Sequence, residues 1–209
     1  MTRSKRAMQP LQPRRADARR NEQALLEAAA AVFVASGVDA PVREIATRAG
    51  VGVATIYRHF PSRADLVVAV YRHQVEACAD AGPVLLAESS SPQVALERWV
   101  DLFVDFLVTK HGLAGALTNG SVESDALHTH FVERLVPVCE ALLQAATAHD
   151  AGTPPVSAYT FMRGIGNLCI GGGRDPLYDA RRLSRLLVRG VLAASGGQGS
   201  ASPAGSTLV

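Results

Sequence analysis

The chain has 209 residues, of which 48% are hydrophobic and 19% charged, and its formal net charge is +2. This length and hydrophobic content suit one or two folded cores and exclude a wholly disordered chain. No apolar run reaches the roughly 18 uncharged residues of a membrane span, and the basic start lacks the apolar stretch of a secretory leader, so the sequence predicts a cytoplasmic protein.

The charge is unevenly distributed along the chain. Residues 1–63 hold 11 Lys and Arg against 5 Asp and Glu, whereas residues 64–209 hold 10 against 14. A basic first third followed by a mildly acidic remainder indicates that the first third binds a polyanion. The alternative interpretation is a basic tail that only aids solubility.

The first third is predicted to be an arm followed by three helices. Residues 1–13 combine basic residues and prolines with little apolar periodicity, which predicts a flexible basic arm. An Ala-rich periodic stretch from about residue 15 to residue 36 predicts a helix that ends at Gly37. Two short helices are predicted next, over residues 42–49 and 53–60.

The two short helices have the spacing of a helix-turn-helix motif. Small Ala46 lets them approach, Gly50 can take the positive φ that ends the first, and Ile56 packs into the angle between them. Phe60, like Ile56, is assigned to the core. The other face of the second helix carries side chains suited to the DNA major groove, namely Val53, Ala54, Thr55, Tyr57, Arg58 and His59. The pattern predicts a DNA-binding domain over residues 14–61.

Arg58 is the main candidate for reading a base, because its guanidinium can donate two hydrogen bonds to guanine O6 and N7. Thr55 can hydrogen-bond a base or a phosphate, while Val53 and Ala54 permit close approach. The arginines that could reach the DNA backbone or the adjacent minor groove from the first helix are Arg14, Arg15, Arg19 and Arg20. For every arginine, the alternative is a solvated surface charge.

A long helix is predicted directly after this domain. Ser62 is a suitable helix cap with Asp65 three residues later, and the helix is expected over residues 63–81. The Gly82-Pro83 pair is then expected to bend or end it.

Five more helices and a tail complete the all-α prediction of about nine helices. The helices are expected over residues 92–110, between Gly112 and Asn119, and over 122–148, 156–170 and 176–194. Pro137 predicts a kink or break near residues 133–135. The Gly- and Ser-rich residues 195–209 predict a disordered tail.

Residues 62–194 are predicted to form a ligand-binding and dimerisation domain. Aromatic side chains at helical spacing, with a few polar groups, are typical of small-molecule pockets. The candidate ligand-binding residues are Trp99, Phe103, Phe106, His111, Leu117, His128, Phe131, Phe161, Arg163 and Asn167, with Tyr159 as the alternative to Phe161. The alternative for the aromatic residues is an ordinary core.

The last two helices carry apolar residues at helical spacing. These are Met162, Ile165, Leu168 and Cys169 on one helix, and Leu183, Leu186, Leu187, Val191 and Leu192 on the other. Because one recognition helix reads only a few base pairs, specific binding calls for a dimer on a near-palindromic site. These apolar faces are therefore predicted to form the interface of a homodimer, the alternative being the core of one copy.

No enzymatic or metal-binding pattern stands out, so the sequence predicts no catalytic residue, cofactor or metal. His128 and His130 lie about 200° apart around a helix and do not face one ion. Cys78, Cys139 and Cys169 show no Cys-x-x-Cys spacing and are expected to be reduced and buried. The competing hypothesis is a helical small-molecule binding protein or enzyme whose basic N-terminus is incidental.

Residues 16–70 contain a specific block of small, aromatic and basic positions. They are Ala28-Ala29, Phe33, Gly37, Ile45-Ala46, Ala49-Gly50-Val51, Ile56-Tyr57-Arg58-His59-Phe60, Ser62-Arg63 and Leu66. This block resembles the tetracycline-repressor-like (TetR/AcrR) family of bacterial transcriptional regulators. The rest of the chain is similar only in length and helix order. The chain departs from the family at Ala40-Pro41 and Gly52, where a Ser or Thr often caps the helix.

The resemblance implies an N-terminal DNA-binding domain followed by a helical domain for ligand and dimer contacts. It implies that Tyr57 and His59 touch phosphates, that Arg43 is another contact, and that Arg63 clamps a phosphate. It also implies a four-helix dimer interface and repression as the usual mode. The expected function is a repressor that binds double-stranded operator DNA as a homodimer and is released by a small-molecule effector that favours one conformer.

Overall fold

The structure, a computed structural model, describes residues 12–113, 122–148, 154–170, 175 and 177–196, with side chains from residue 19 onward except at 109–113, 122–124 and 196. Every element of secondary structure in these ranges is helical, which confirms the all-α prediction. The helices are α1 (Gln12–Ser36), α2 (Val42–Ala49), α3 (Val53–His59), α4 (Arg63–Glu88), α5 (Pro92–Leu113), α6 (Val122–Thr147), α7 (Ala158–Leu168) and α8 (Ala180–Gly196). The chain divides into two compact units, residues 1–70 and 71–209. None of the helices within the described ranges has the length and apolar character needed to cross a membrane.

The described ranges contain eight helices, and the predicted short helix after Gly112 falls mostly on residues 114–121, outside them. Residues 1–11 and 197–209, where an arm and a tail are predicted, lie outside them as well. The predicted bounds of α1 and α8 are wrong, and α8 begins at Ala180, four residues after its predicted start. Helix α1 already includes residues 12–13. Pro13 is tolerated there because the N–H groups of the first turn have no partner within the helix. Helix α8 continues past residue 194, where Ser195 Oγ donates to the carbonyl of Leu192 at 2.7 Å.

The turns of the first unit rest on two glycines with positive φ. Gly37 has φ 82° and ends α1, as predicted. Gly50 has φ 67°, and its N–H points to the carbonyls of Ala46 and Thr47 at the end of α2. These conformations are strained for any residue with a Cβ, so glycine is the residue that fits.

The core of the first unit holds α2 and α3 at a fixed angle. Ile45, Ala46, Ile56 and Phe60 are all buried there, which confirms that Ile56 and Phe60 belong to the core. Both helices begin without a side-chain cap, at Pro41 and Gly52. Burial of their apolar faces therefore has to stabilise these short helices, which are marginal by propensity alone.

Helix α4 begins as predicted but does not end where the sequence indicates. Ser62 and Asp65 form a reciprocal cap, with Ser62 N and Asp65 Oδ2 2.9 Å apart and Asp65 N and Ser62 Oγ 3.1 Å apart. The expected break at Gly82-Pro83 is absent, and α4 runs on to Glu88. The buried face continues through Leu85, while Pro83 itself is exposed, so packing on the inner face outweighs the missing N–H of the proline.

The predicted break in α6 is also wrong, because α6 is one helix around Pro137. Pro137 lies on the exposed face and so does Glu133, whose carbonyl loses its partner to the proline ring and can bind water instead. Leu135, Cys139 and Leu142 continue the buried face on either side. A solvent-facing proline therefore leaves the packed face intact.

The second unit is built around a chain of contacting aromatic rings. Trp99 stacks on Phe103 with centroids 5.4 Å apart, and the contacts extend through Phe106 and Phe131. Trp99 is fully buried, and its indole N–H donates to the carbonyl of Cys78 at 2.9 Å. Large stacked rings of this kind supply much of the apolar area that stabilises a helical core.

The three cysteines are free and buried, as predicted. Burial raises the pKa of the Cys78 thiol to about 12, because the thiolate would lose its hydration. Burial also raises the pKa values of Cys139 and Cys169. All three therefore stay protonated at neutral pH and act as small apolar side chains.

The predicted interface face of α7 is wrong, because most of it is core. Met162, Ile165 and Cys169 are buried within the second unit, where α7 packs against α5, α6 and α8. On α8, in contrast, Leu183 and Leu186 are 37% and 53% exposed. The amphipathic pattern of α7 thus reflects packing within one copy.

Candidate DNA-binding surface and ligand cavity

Helix α3 presents one face to the core and the other to solvent. Ile56 is 1% exposed and anchors the helix, whereas Val53 and Tyr57 are 38% and 49% exposed. The structure leaves every predicted DNA-contacting side chain of α3 except half-buried Thr55 exposed, namely Val53, Ala54, Tyr57, Arg58 and His59. This exposed face of α3 combines a long cationic side chain with small ones, which suits close approach to base edges.

The other predicted DNA contacts of the first unit differ in position. Arg43 is exposed on α2, and Arg19 and Arg20 are exposed on α1. The side chains of Arg14 and Arg15 lie outside the described residues. Helix α3 begins with a turn in which Thr55 N donates to the carbonyl of Gly52 at 2.9 Å.

Arg63 is engaged within the first unit rather than extended into solvent. Its guanidinium donates to the carbonyl of Val38 and, at 2.7 Å, to the carbonyl of Ala40. These carbonyls belong to the loop between α1 and α2, so Arg63 ties the start of α4 to that loop. The side chain predicted to clamp a phosphate thus already has two acceptors inside the protein.

A cavity of about 320 Å³ lies between α5, α6 and α7 in the second unit. Its size is at the lower end of the range for small-molecule sites. The predicted ligand-binding residues that line it are Phe103, His128, Phe131, Arg163 and Asn167. The structure therefore brings together residues from three helices, and the outermost of these residues, Phe103 and Asn167, are more than sixty positions apart in the sequence.

Other predicted pocket residues do not line this cavity. Trp99, Phe106 and Phe161 are buried in the surrounding core. The side chain of His111 and the whole of Leu117 lie outside the described residues. An aromatic residue at helical spacing can face either the core or a cavity, and the sequence pattern does not separate the two.

Sequence reasoning missed about half of the cavity lining. The additional residues are Leu107, Val136, Met162, Gly166 and Ile170. Of the two alternatives on α7, Tyr159 lines the cavity and Phe161 does not, because α7 turns Phe161 into the core and leaves Tyr159 44% exposed. The available signal was the spacing of Tyr159, Arg163 and Asn167, which places all three on one face of a helix.

Ion pairs connect neighbouring helices of the second unit. Arg134 on α6 donates to both carboxylate oxygens of Glu76 on α4, at 3.0 and 2.6 Å. This hydrogen bonding lowers the pKa of Glu76. His130 Nε2 lies 3.2 Å from the same carboxylate without the alignment of a hydrogen bond. The pair joins α4 to α6.

A second ionic row joins α8 to α5. Arg185 pairs with Asp101 at 2.8 Å, and Arg181 pairs with both Asp101 and Asp105. The arginines of α8 are therefore largely neutralised by acidic residues of the same chain.

Comparison with known proteins supports the interpretation of the first unit. The family model described as "Bacterial regulatory proteins, tetR family" matches residues 25–70. The chain is 36% identical over 92 residues to the HTH-type transcriptional activator FasR of Mycolicibacterium smegmatis, a match that spans 44% of this chain and 41% of the length of that relative.

Two solved structures match nearly from end to end. A TetR transcriptional regulator from Streptomyces coelicolor is 31% identical, with 83% of this chain and 97% of that chain covered and a TM-score of 0.68. A TetR regulatory protein from Mycobacterium vanbaalenii is also 31% identical, with 85% and 98% covered and a TM-score of 0.65. The helix-turn-helix, the helical second unit and these full-length likenesses together show that the chain belongs to the TetR family of transcriptional regulators.

Proposed function

We propose that the protein is a homodimeric repressor that binds a near-palindromic DNA operator and is controlled by a small molecule in the α5–α6–α7 cavity. The observation that carries this proposal is the exposed face of α3, anchored by buried Ile56 and bearing Arg58. An anchored helix with a free cationic face is the arrangement that reads a major groove. Membership in a family of regulators leaves no need for the competing hypothesis of an enzyme.

The exposed leucines of α8 support the homodimer. Leu183 and Leu186 lie on one face of α8 with half-buried Leu187 beside them. Exposed apolar patches of this kind mark interaction surfaces, and two identical copies of a helix can pair through the same patch about a two-fold axis. A dimer places two recognition helices on two half-sites, as specific binding requires.

The deciding experiment measures binding of the full chain to DNA from upstream of its own gene, by fluorescence anisotropy at several salt concentrations. The wild-type protein should bind this DNA at least 10³-fold more tightly than random DNA, and its affinity should fall steeply with salt. Arg58→Ala should weaken specific binding about 5- to 150-fold, a loss of about 1–3 kcal/mol, and should narrow the margin over random DNA.

Arg72→Ala is the matched control, because Arg72 is an exposed arginine of the second unit. It should leave both affinities unchanged. Equal binding of upstream and random DNA by the wild-type protein would rule out the proposed function. Specific binding that Arg58→Ala leaves intact would remove only the role of Arg58.

The direction of regulation needs its own measurement, because the relative FasR is described as an activator. Deleting the gene should raise transcription from the bound promoter if the protein represses it. A fall in transcription would instead identify an activator with the same mode of DNA binding.

A further inference from the structure

The cavity between α5, α6 and α7 has an apolar and a polar part. Phe103 and Leu107 of α5 and Phe131 and Val136 of α6 form an apolar wall, beside which His128 of α6 also lines the cavity. Helix α7 contributes a row of polar side chains, Tyr159, Arg163 and Asn167, spaced four residues apart. Because residues four apart lie one above another on a helix, these groups form a single polar edge along the apolar space.

The polar edge carries positive charge and no compensating negative charge. Among the described residues that line the cavity, none is Asp or Glu, and Arg163 is the one Lys or Arg. Arg181 and Arg185 of α8 pair with carboxylates of α5, for example Arg185 with Asp101 at 2.8 Å. Within the described part of the chain, Arg163 has no such partner.

Arg163 and Asn167 are exposed at the edge of the apolar cavity, and this arrangement favours a ligand that combines an anionic head group with an apolar body. The planar guanidinium can donate two parallel hydrogen bonds to a carboxylate, and the amide of Asn167 can donate a third. A cationic head group would be repelled by Arg163, and a neutral head group would gain no charge-assisted hydrogen bond in exchange for the water that these exposed side chains bind. The apolar wall in turn favours a body without further charges.

The cavity is small for a ligand site. Its volume of about 320 Å³ lies at the lower end of the range for small-molecule sites, and its polar edge at Arg163 and Asn167 is open to solvent. A single alkyl chain with its head group at that open edge suits such a site.

We propose that the effector of this regulator is an amphipathic monoanion, with its carboxylate or similar head group on Arg163 and Asn167 and its apolar body against Phe103 and Phe131. This inference rests on the proposed function for the consequence of binding, but not for binding itself. Arg163 selects the charge of the ligand, and the walls from α5 and α6 select its apolar character.

The test uses three probes of equal chain length, decanoate, 1-decanol and decylamine, with the full-length protein in isothermal titration calorimetry at pH 7. Decanoate should bind about twofold to fivefold more tightly than 1-decanol, because a charge-assisted pair at a solvent-exposed arginine replaces a neutral contact. Decylamine should bind more weakly than either. Equal affinity for all three probes, tighter binding of decylamine, or binding of none of them would overturn the proposal.

Variants locate the effect. Arg163→Gln should lose the preference for decanoate while its affinity for 1-decanol stays within about twofold, and Arg72→Gln should keep the wild-type preference. A preference for decanoate that survives in Arg163→Gln would also overturn the proposal. Circular dichroism of both variants checks that the helices remain folded.

Operator binding in the presence of decanoate separates this inference from the proposed function. Decanoate that binds through Arg163 but leaves operator affinity unchanged would contradict ligand control through this cavity, and only the preference of the cavity for amphipathic monoanions would stand. Operator binding by a protein that does not discriminate among the probes would contradict the inference and leave DNA binding standing.

Discussion

The hydrogen bonds of Arg63 show that a side chain predicted to bind a DNA phosphate can stabilise the protein instead. Its position at the start of α4 matches a phosphate-contacting position of the family, yet its guanidinium donates to the carbonyls of Val38 and Ala40. Removing the guanidinium of Arg63 would leave these partly buried carbonyls without a donor. Its first effect should therefore be a lower free energy of unfolding.

We expect Arg63→Met to lower the free energy of unfolding by about 1–2 kcal/mol in urea denaturation, since the two carbonyls of the α1–α2 loop lose their donor. Arg43→Met is the control, because Arg43 is exposed on α2 and should change stability by less than about 0.5 kcal/mol. If Arg63→Met keeps full stability but reduces the salt dependence of DNA binding, then Arg63 is a phosphate clamp after all.

Several single residues were predictable from sequence because their chemistry leaves little choice. Gly37 and Gly50 adopt positive φ, and Ser62 caps α4 through Asp65, as their residue types indicate. The division of aromatic residues between core and cavity was not predictable, as Trp99 and Phe103 show. Both are large, apolar and on α5, and the rotation of that helix against α6 and α7 decides which one reaches the cavity.

At the scale of the elements, Gly82 explains how α4 comes close to α6. A Cβ at this position would collide with the side chain of Val138, so glycine allows a contact that alanine would block. The same glycine, followed by Pro83, had indicated a helix end. A helix end and a close contact between helices both favour glycine, and only the tertiary structure shows which of the two applies at Gly82.

Gly82→Ala should therefore lower the free energy of unfolding by at least about 1 kcal/mol, because the overlap with Val138 exceeds the gain in helix propensity. Gly166→Ala provides the comparison, since a Cβ there meets no atom within 4 Å. That variant should be neutral or up to about 1 kcal/mol more stable. Equal effects of the two substitutions in thermal or urea unfolding would contradict a close contact at Gly82.

The pairing of Glu76 with Arg134 predicts a pH dependence of stability. Hydrogen bonding to Arg134 lowers the pKa of Glu76 in the folded state below its ordinary value of 4.5. The contribution is therefore complete above pH 4.5 and is lost as the pH falls through the lowered value. Because the pair is partly exposed, its total effect should stay below about 1 kcal/mol.

The measurement compares the wild type with Glu76→Gln in urea at a series of pH values. The stability advantage of the wild type should be largest near neutral pH and should shrink below pH 4.5. Glu88→Gln, at an exposed position of the same helix, should show no such trend. An advantage that grows toward acid pH would contradict the role of the ion pair.

At the scale of the whole molecule, exposed Leu183 and Leu186 form the interface of the proposed dimer. Leu186→Arg should therefore give a monomer in analytical ultracentrifugation, because the charge would have to be buried unpaired in that interface. Operator affinity should then fall about 10²-fold or more, since the two half-sites no longer benefit from linkage.

Leu177 provides the matched control for this prediction. It is 93% exposed and lies before α8, so Leu177→Arg should keep both the dimer and the operator affinity. A monomeric wild-type protein, or a dimer that persists in Leu186→Arg, would contradict an interface at this face of α8.

The sequence by itself determined the all-α class, the helix-turn-helix and the family. Helical periodicity and turn residues act over a few neighbouring positions, so a short stretch of sequence is enough to indicate them. The tertiary structure alone decided the continuation of α4 and α6 through their prolines, the burial of the apolar face of α7 and the lining of the cavity. These features depend on which face of each helix its neighbours cover, and that rotation is set by packing among residues far apart in the chain. The same packing leaves the exposed face of α3 open and Arg163 beside the cavity without an acidic partner in the described part of the chain.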